Sequence, residues 1–221
     1  MYPRKGSKTM NKIITIAREY GSGGREIGRK LAEMLGVRFC DRELITMAAE
    51  KSGMNADVLH SVDEKASGSL LYTLAMGSSM IHSAVDVYNM PLNDKLFILQ
   101  SHLIEELADK EPCIFVGRCA DYILENRPGV FRIFIYADFD ARVKNVVSRR
   151  GISEADAKSD IVRTDRRRAN YYNYYTGKKW GRLENYDLAV SSSLLGIDGT
   201  AKLIADVYEK WTPAEEKKDE T

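Results

Sequence analysis

The residues best suited to chemistry run Ala17-Arg18-Glu19-Tyr20-Gly21-Ser22-Gly23-Gly24-Arg25-Glu26-Ile27-Gly28. Three glycines in four positions let the backbone curl so that successive N–H groups face one anion. Where such a turn opens a helix, the helix N-terminus adds its partial positive charge. The consensus of phosphate-binding loops, GxxxxGK[ST], has a lysine and then a hydroxyl after its last glycine. Here Gly24 is followed by Arg25 and Glu26, and Glu19 stands at the first glycine. Arg25 supplies a fixed positive charge to phosphate oxygens, with a wider fork than lysine. Glu26 puts a charged group where a hydroxyl would meet magnesium. The plainer alternative is a strand-to-helix turn whose glycines serve only close packing.

Moving a phosphoryl group between two phosphates gathers many negative charges, so catalysis there is mostly positioning and neutralisation. Further arginines are expected, and they occur in two places: Arg118, after an apolar run and Gly117, and the cluster Arg163, Arg166, Arg167 and Arg168. At helical spacing Arg163, Arg167 and Asn170 share one face, while Asp165 and Arg168 share another. Asp165 can orient an arginine through a bidentate pair, as a closing lid requires. A solvated basic face is the alternative for such a charge run. The stretch from Tyr171 to Trp180 interleaves aromatic and basic residues. Such a pattern can stack single-stranded bases, but packing of the lid or a subunit contact is favoured, because aromatic clusters more often supply buried contact area. His60, His82 and His102 show no metal-ligand spacing. An acceptor phosphate needs no general base, which favours phosphate-to-phosphate transfer over attack by a hydroxyl.

These groups need a frame. Between polar ends, apolar runs of strand length alternate with helical periodicity, the pattern of an α/β fold with a parallel sheet. Five strands are expected, at residues 13–17, 37–40, 113–116, 131–136 and 188–191. Helices are expected at 25–35, 42–52, 92–109, 140–149 and 200–211. Residues 55–90, rich in Met and Ser, read as a helical insert. Residues 153–175 read as one polar helix opened by a capping pattern, Ser153 with Asp156. Residues just past the C-termini of parallel strands face the ligand crevice, so Arg25, Asp41 and Arg118 are expected to line one cleft.

The chain has 221 residues, enough for one domain with a substantial core. Its 33 Lys and Arg nearly balance 32 Asp and Glu, which argues against a generally basic nucleic-acid surface. Cys40, Cys113 and Cys119 form neither a disulfide framework nor a zinc pattern, so a cytoplasmic location is expected. No apolar run approaches the roughly 20 residues of a membrane helix, and the run at 13–17 is too short for a signal peptide. Residues 1–10 and 212–221 read as disordered tails.

With these motifs in hand the chain resembles the cytidylate kinase-like family, a branch of the P-loop nucleoside monophosphate kinases. The resemblance spans residues 11–211. It is carried by the glycine turn from Ala17 to Ile27, by Phe39-Cys40-Asp41-Arg42-Glu43-Leu44-Ile45, by Val116-Gly117-Arg118-Cys119-Ala120-Asp121, and by Asp165-Arg166-Arg167-Arg168-Ala169-Asn170-Tyr171-Tyr172 running on to Trp180. It implies a three-layer P-loop kinase-type fold with a five-stranded parallel sheet, a helical monophosphate-binding insert at about 53–91 and a helical lid at about 153–180. It also implies ATP and Mg2+ as cofactors and a nucleotide, CMP or dCMP, as acceptor. By the same resemblance Gly21, Ser22, Gly23, Gly24, Arg25, Glu26 and Ser192 hold ATP. Asp41, Arg42, Arg118 and Asp121 hold the monophosphate, and Arg25, Arg163, Asp165, Arg167 and Arg168 serve transfer. The chain departs from the family pattern at Arg25-Glu26, at Cys119, where the family has Asp, and at Ile161, where a first lid arginine is expected. No membrane or nucleic-acid partner is expected, and monomer and homo-oligomer both fit. Two alternatives stay open: a nucleotide-binding sensor or regulator without turnover, and a kinase of another small acceptor.

Overall fold

A computed structural model describes residues 12–41 and 91–211. The expected helix at 42–52, the insert and both tails lie outside the described residues. The elements in chain order are β1 (Ile13–Arg18), α1 (Gly24–Leu35), β2 (Arg38–Cys40), α2 (Leu92–Lys110), β3 (Cys113–Val116), α3 (Ala120–Ile123), β4 (Val130–Tyr136), α4 (Phe139–Arg150), α5 (Glu154–Thr176), a 3-10 turn (Leu183–Asn185), β5 (Leu188–Ser191) and α6 (Ser192–Lys210).

The five strands form one sheet in the order β2-β3-β1-β4-β5, with every neighbouring pair parallel. β1 is central because its run of β-branched residues is buried on both faces, as parallel strands require. Ile14 and Ile16 face a core shared with Ile27 and Leu31 of α1 and Ile204 of α6. Ile13 faces the opposite core, with Ile104 and Leu107 of α2 and Leu124. The result is helix, sheet and helix in three layers.

A separate apolar cluster, Val143, Val146, Ala157 and Ile161, joins α4 to α5. Ile161 is fully buried there, which explains an isoleucine in place of an arginine: the position is a packing position. The Ser153 hydroxyl accepts from the Asp156 amide at 3.1 Å, the cap expected for α5.

α6 begins eight residues before the expected start. Gly196 (φ 64, ψ −172) breaks it internally, so two helical pieces abut across a kink. The aromatic stretch is used for packing. Tyr175 stacks on Phe97 of α2 at 4.1 Å between centroids, and Trp180 meets Phe134 edge-on at 5.6 Å. No helix among the described residues is long and apolar enough to cross a membrane.

Candidate phosphate-binding site

β2, β3 and β1 lie side by side and parallel, so the segments that follow them emerge at the same C-terminal end of the sheet, where open parallel sheets bind ligands. After β1 comes the glycine turn, after β2 comes Asp41, and after β3 comes Gly117-Arg118-Cys119.

The turn is built around Gly21 (φ 84) and Gly23 (φ 76). A Cβ at Gly21 would lie 2.9 Å from the Arg142 carbonyl oxygen, so neither the backbone conformation nor the space admits a side chain. Gly23 caps α1 without any side-chain bond, which leaves the first-turn amides for an anion. The turn is braced from outside. The Ser22 hydroxyl donates to the Glu19 carbonyl at 2.9 Å, the Ser192 hydroxyl to the Ser22 carbonyl at 2.6 Å, and the Asn145 amide to the Gly21 carbonyl at 3.0 Å.

α5 completes the brace. Asp165 Oδ1 accepts from the Tyr20 amide at 2.7 Å, and its Oδ2 accepts from Arg142 at 2.5 Å. Arg142 is 7% exposed and also lies 3.4 Å from Glu19 Oε2, which accepts from the Ala137 amide at 3.1 Å. Burial raises the Glu19 pKa, while the Ala137 amide and Arg142 oppose the rise. Arg168 donates to the Arg18 carbonyl at 2.9 Å and lies over the Tyr20 ring at 5.6 Å. Burial lowers the Arg168 pKa, opposed by Asp165, Tyr20 and Asp41.

The crevice also concentrates cations. Arg25 Nε pairs with the buried Asp41. Arg18 lies against Gly24 with its Cβ and Cγ, and its guanidinium fills the space a Gly117 side chain would take. One side chain therefore spans from the glycine turn to the turn after β3. That second turn is strained: Gly117 (φ 78), Arg118 (φ 61) and Cys119 (φ 55) are left-handed in succession. Each non-glycine residue in that region costs on the order of 1 kcal/mol. Among the described residues Arg118 and Cys119 alone depart in this way outside glycine. Burial raises the Cys119 pKa, so its thiol stays protonated at neutral pH.

The model of the cytidylate kinase-like family matches residues 13–194, most of the chain and every element of this crevice. The chain belongs to the cytidylate kinase-like family. Among solved structures it is similar to an uncharacterized protein from Eubacterium ventriosum, with 26% identity and a TM-score of 0.68, covering 91% of this chain and 100% of that one. It is also similar to shikimate kinase from Bacteroides thetaiotaomicron, with a TM-score of 0.52 and coverage of 90% and 98%; at 13% identity that likeness bears on the fold alone, which is that of P-loop kinases. Two curated relatives match at lower coverage. A cytidylate kinase from Methanoculleus marisnigri is 27% identical over 116 residues, 52% of this chain and 62% of that protein. A uronate isomerase from Corynebacterium glutamicum is 25% identical over 143 residues, 65% of this chain and 27% of that protein. The chain thus spans less than two thirds of either curated relative.

The structure brings Gly21, Ser22, Gly23, Gly24, Arg25, Asp41, Arg118, Asp165, Arg168 and Ser192 to this family member's crevice or its immediate frame. Arg163 and Arg167 stand on the other face of α5, where with Lys158, Val162, Arg166 and Asn170 they line an open groove of about 700 Å³. Arg163 pairs there with Asp160. Asp121 is buried and accepts from the Tyr172 hydroxyl at 2.7 Å, tying α3 to α5. Arg42 lies outside the described residues. Glu26 Oε1 accepts from Arg149 at 2.9 Å, while its Oε2 is buried without a hydrogen-bond partner. Beside Glu26, Ser22 and Ser192 opens a cavity of about 810 Å³, walled on one side by Leu195 and Ile197. Sequence reasoning missed Arg18, Glu19 and Arg142. The usable signal for Arg142 is a cation four residues before the buried Val146, on the apolar stripe of α4.

Proposed function

We propose that this chain transfers the γ-phosphoryl group of ATP to a nucleoside monophosphate, CMP or dCMP. The observation that carries this reading is the meeting of a glycine turn free of side-chain capping with Arg18, Arg25 and Arg168, beside the turn that carries Arg118, at the C-terminal end of the sheet. Cations gathered beside open backbone amides suit adjoining polyanions. Gly21, Ser22, Gly23 and Gly24 present backbone amides to the ATP phosphates. Ser192 fixes the turn from behind, and the cavity of about 810 Å³ beside it suits the adenine, with Leu195 and Ile197 as its apolar wall.

The acceptor phosphate lies toward Arg118, whose left-handed backbone is held by its neighbours. Arg25 and Asp41 form a pair at the acceptor side, with Arg42 and Asp121 further along the same carry-over. Arg168 neutralises charge near the turn, and Asp165 sets its helix against Tyr20. Arg163 and Arg167, on the outer face of α5, would reach the transferring group only through a movement of α5 that gives up the Asp165 and Arg168 contacts. Magnesium, the metal this family implies, would supply positive charge to the phosphates when bound. Among the described residues no group of three His, Cys, Asp or Glu side chains is placed to hold a metal. The buried, unpartnered Glu26 Oε2 fits as a single protein ligand, the number magnesium commonly takes beside phosphates and water.

The test is a panel of nucleoside monophosphates with ATP and magnesium, read as diphosphate formed. CDP or dCDP is the expected product, and Arg118→Ala lowers its rate by about 10²-fold or more. No diphosphate from any acceptor would sink the reading. A second reading, nucleotide binding without turnover, is favoured by the Arg149–Glu26 pair, which occupies one oxygen of the sole carboxylate at the start of α1. Tight ATP binding with no product from any acceptor would select it.

A further inference from the structure

Arg25, the lysine equivalent when the consensus is counted from Glu19, points to Asp41. Counted from Arg18 instead, GxxxxGK sets its last glycine at Gly23, which caps α1, and its lysine at Gly24, the first residue of α1. In this register an arginine holds the first-glycine position and a glycine holds the lysine position.

The two positions are in contact. A Cβ on Gly24 would lie 2.6 Å from the Arg18 Cβ and 2.9 Å from its Cγ, so side chains at both positions exclude each other. Because Gly24 has none, the Arg18 stem lies over the start of α1 and its guanidinium reaches the place of a Gly117 side chain. Its backbone is pinned by the 2.9 Å bond from Arg168 to its carbonyl.

We propose that Arg18 is the phosphate-binding cation of the turn, and that it replaces the usual lysine through a reciprocal exchange of residues between positions 18 and 24. It takes terminal phosphate oxygens of a nucleoside triphosphate, from the end of β1 rather than the start of α1. Arginine suits the task because its planar fork meets two oxygens at once. Its reach to Gly117 sets it between the glycine turn and the turn that carries Arg118, where one group can meet the charge of both substrates. The inference rests on the triphosphate reading above and assigns Arg18 its role within it.

The experiment measures dissociation constants for ATP and for adenosine by calorimetry, on the wild type, Arg18→Gly, Arg18→Gln and the double variant Arg18→Gly/Gly24→Lys. Unfolding midpoints without ligand are taken in parallel, and Arg18→Gln stands in where the glycine variant does not fold. Loss of a charged phosphate contact weakens ATP by about 10²-fold and adenosine by no more than about threefold. The double variant, which restores the first glycine and the lysine of the consensus, recovers ATP binding to within about tenfold of wild type. Three results overturn the exchange: unchanged ATP affinity in both single variants, equal losses of ATP and adenosine, or a double variant no better than Arg18→Gly. Wild-type protein that binds no ATP would remove the underlying reading as well, whereas wild-type transfer by the single variants would remove this inference alone.

Discussion

The two faces of α5 carry the same kind of residue and do different work. On the inner face Asp165 and Arg168 are bonded to the Tyr20 amide and the Arg18 carbonyl, with Arg142 closing the group behind them. On the outer face Arg163, Arg166 and Arg167 border an open groove, and Arg163 pairs with Asp160 of its own helix. Helical spacing assigns the residues to two faces; only the tertiary fold says which face meets the glycine turn. The comparison teaches that in this arginine-rich segment a residue's neighbours, and not its charge, decide whether it frames the nucleotide site.

The largest effect expected from that contrast is on stability. Arg142→Ala leaves Glu19 and Asp165 facing each other in a mostly buried space. Breaking such a pair by removing one partner costs about 3 kcal/mol or more, read from denaturant unfolding. The matching outer-face change, Arg163→Ala, is expected to cost less than about 1 kcal/mol, since its pair is exposed on the cation side. Equal losses would erase the distinction.

Next in size is ligand binding. Arg168→Ala is expected to weaken ATP by about tenfold or more, while Arg163→Ala changes the ATP dissociation constant by less than about twofold and lowers the transfer rate instead. An Arg163 variant that loses ATP affinity would show that α5 already engages the donor through its outer face.

Smaller still is Tyr175→Phe. It removes the 2.8 Å bond to Asp94 but keeps the stacked ring on Phe97, so a loss of about 1 kcal/mol is expected by thermal unfolding.

The smallest effect is in pH dependence. Burial raises the Glu19 pKa above its ordinary value, so the folded state holds that proton more tightly than the unfolded chain. This contribution to stability is present at pH below the ordinary carboxylate range and fades as pH rises through the raised value. Glu19→Gln flattens that part of the pH–stability curve. An unaltered slope in the variant would assign it to another acid, with buried Asp121, whose pKa burial also raises, as the candidate.

Much of the frame was legible in the sequence. The five strands stand out as short apolar runs of four to six residues, and each forms within one residue or so of its expected place. The start of α6 was not legible, because Ser192, Ser193 and Gly196 read as a turn, and the kink at Gly196 keeps part of that character. In the site, the glycine turn, Asp41 and Arg118 could be read from strand ends alone. Arg18 could not. It ends a strand in a way any charged residue can, and its meaning depends on the missing Cβ of Gly24 and the space over Gly117.

The proposed function requires the turn after β1 and the left-handed turn after β3 to form one crevice for two phosphate-bearing ligands. A bisubstrate compound, adenosine and cytidine joined through five phosphates, tests it most directly by calorimetry. Binding at least about 10²-fold tighter than ATP or CMP alone, with most of the gain lost in Arg118→Ala, is the predicted result. A compound held no more tightly than ATP, and indifferent to Arg118, would contradict it.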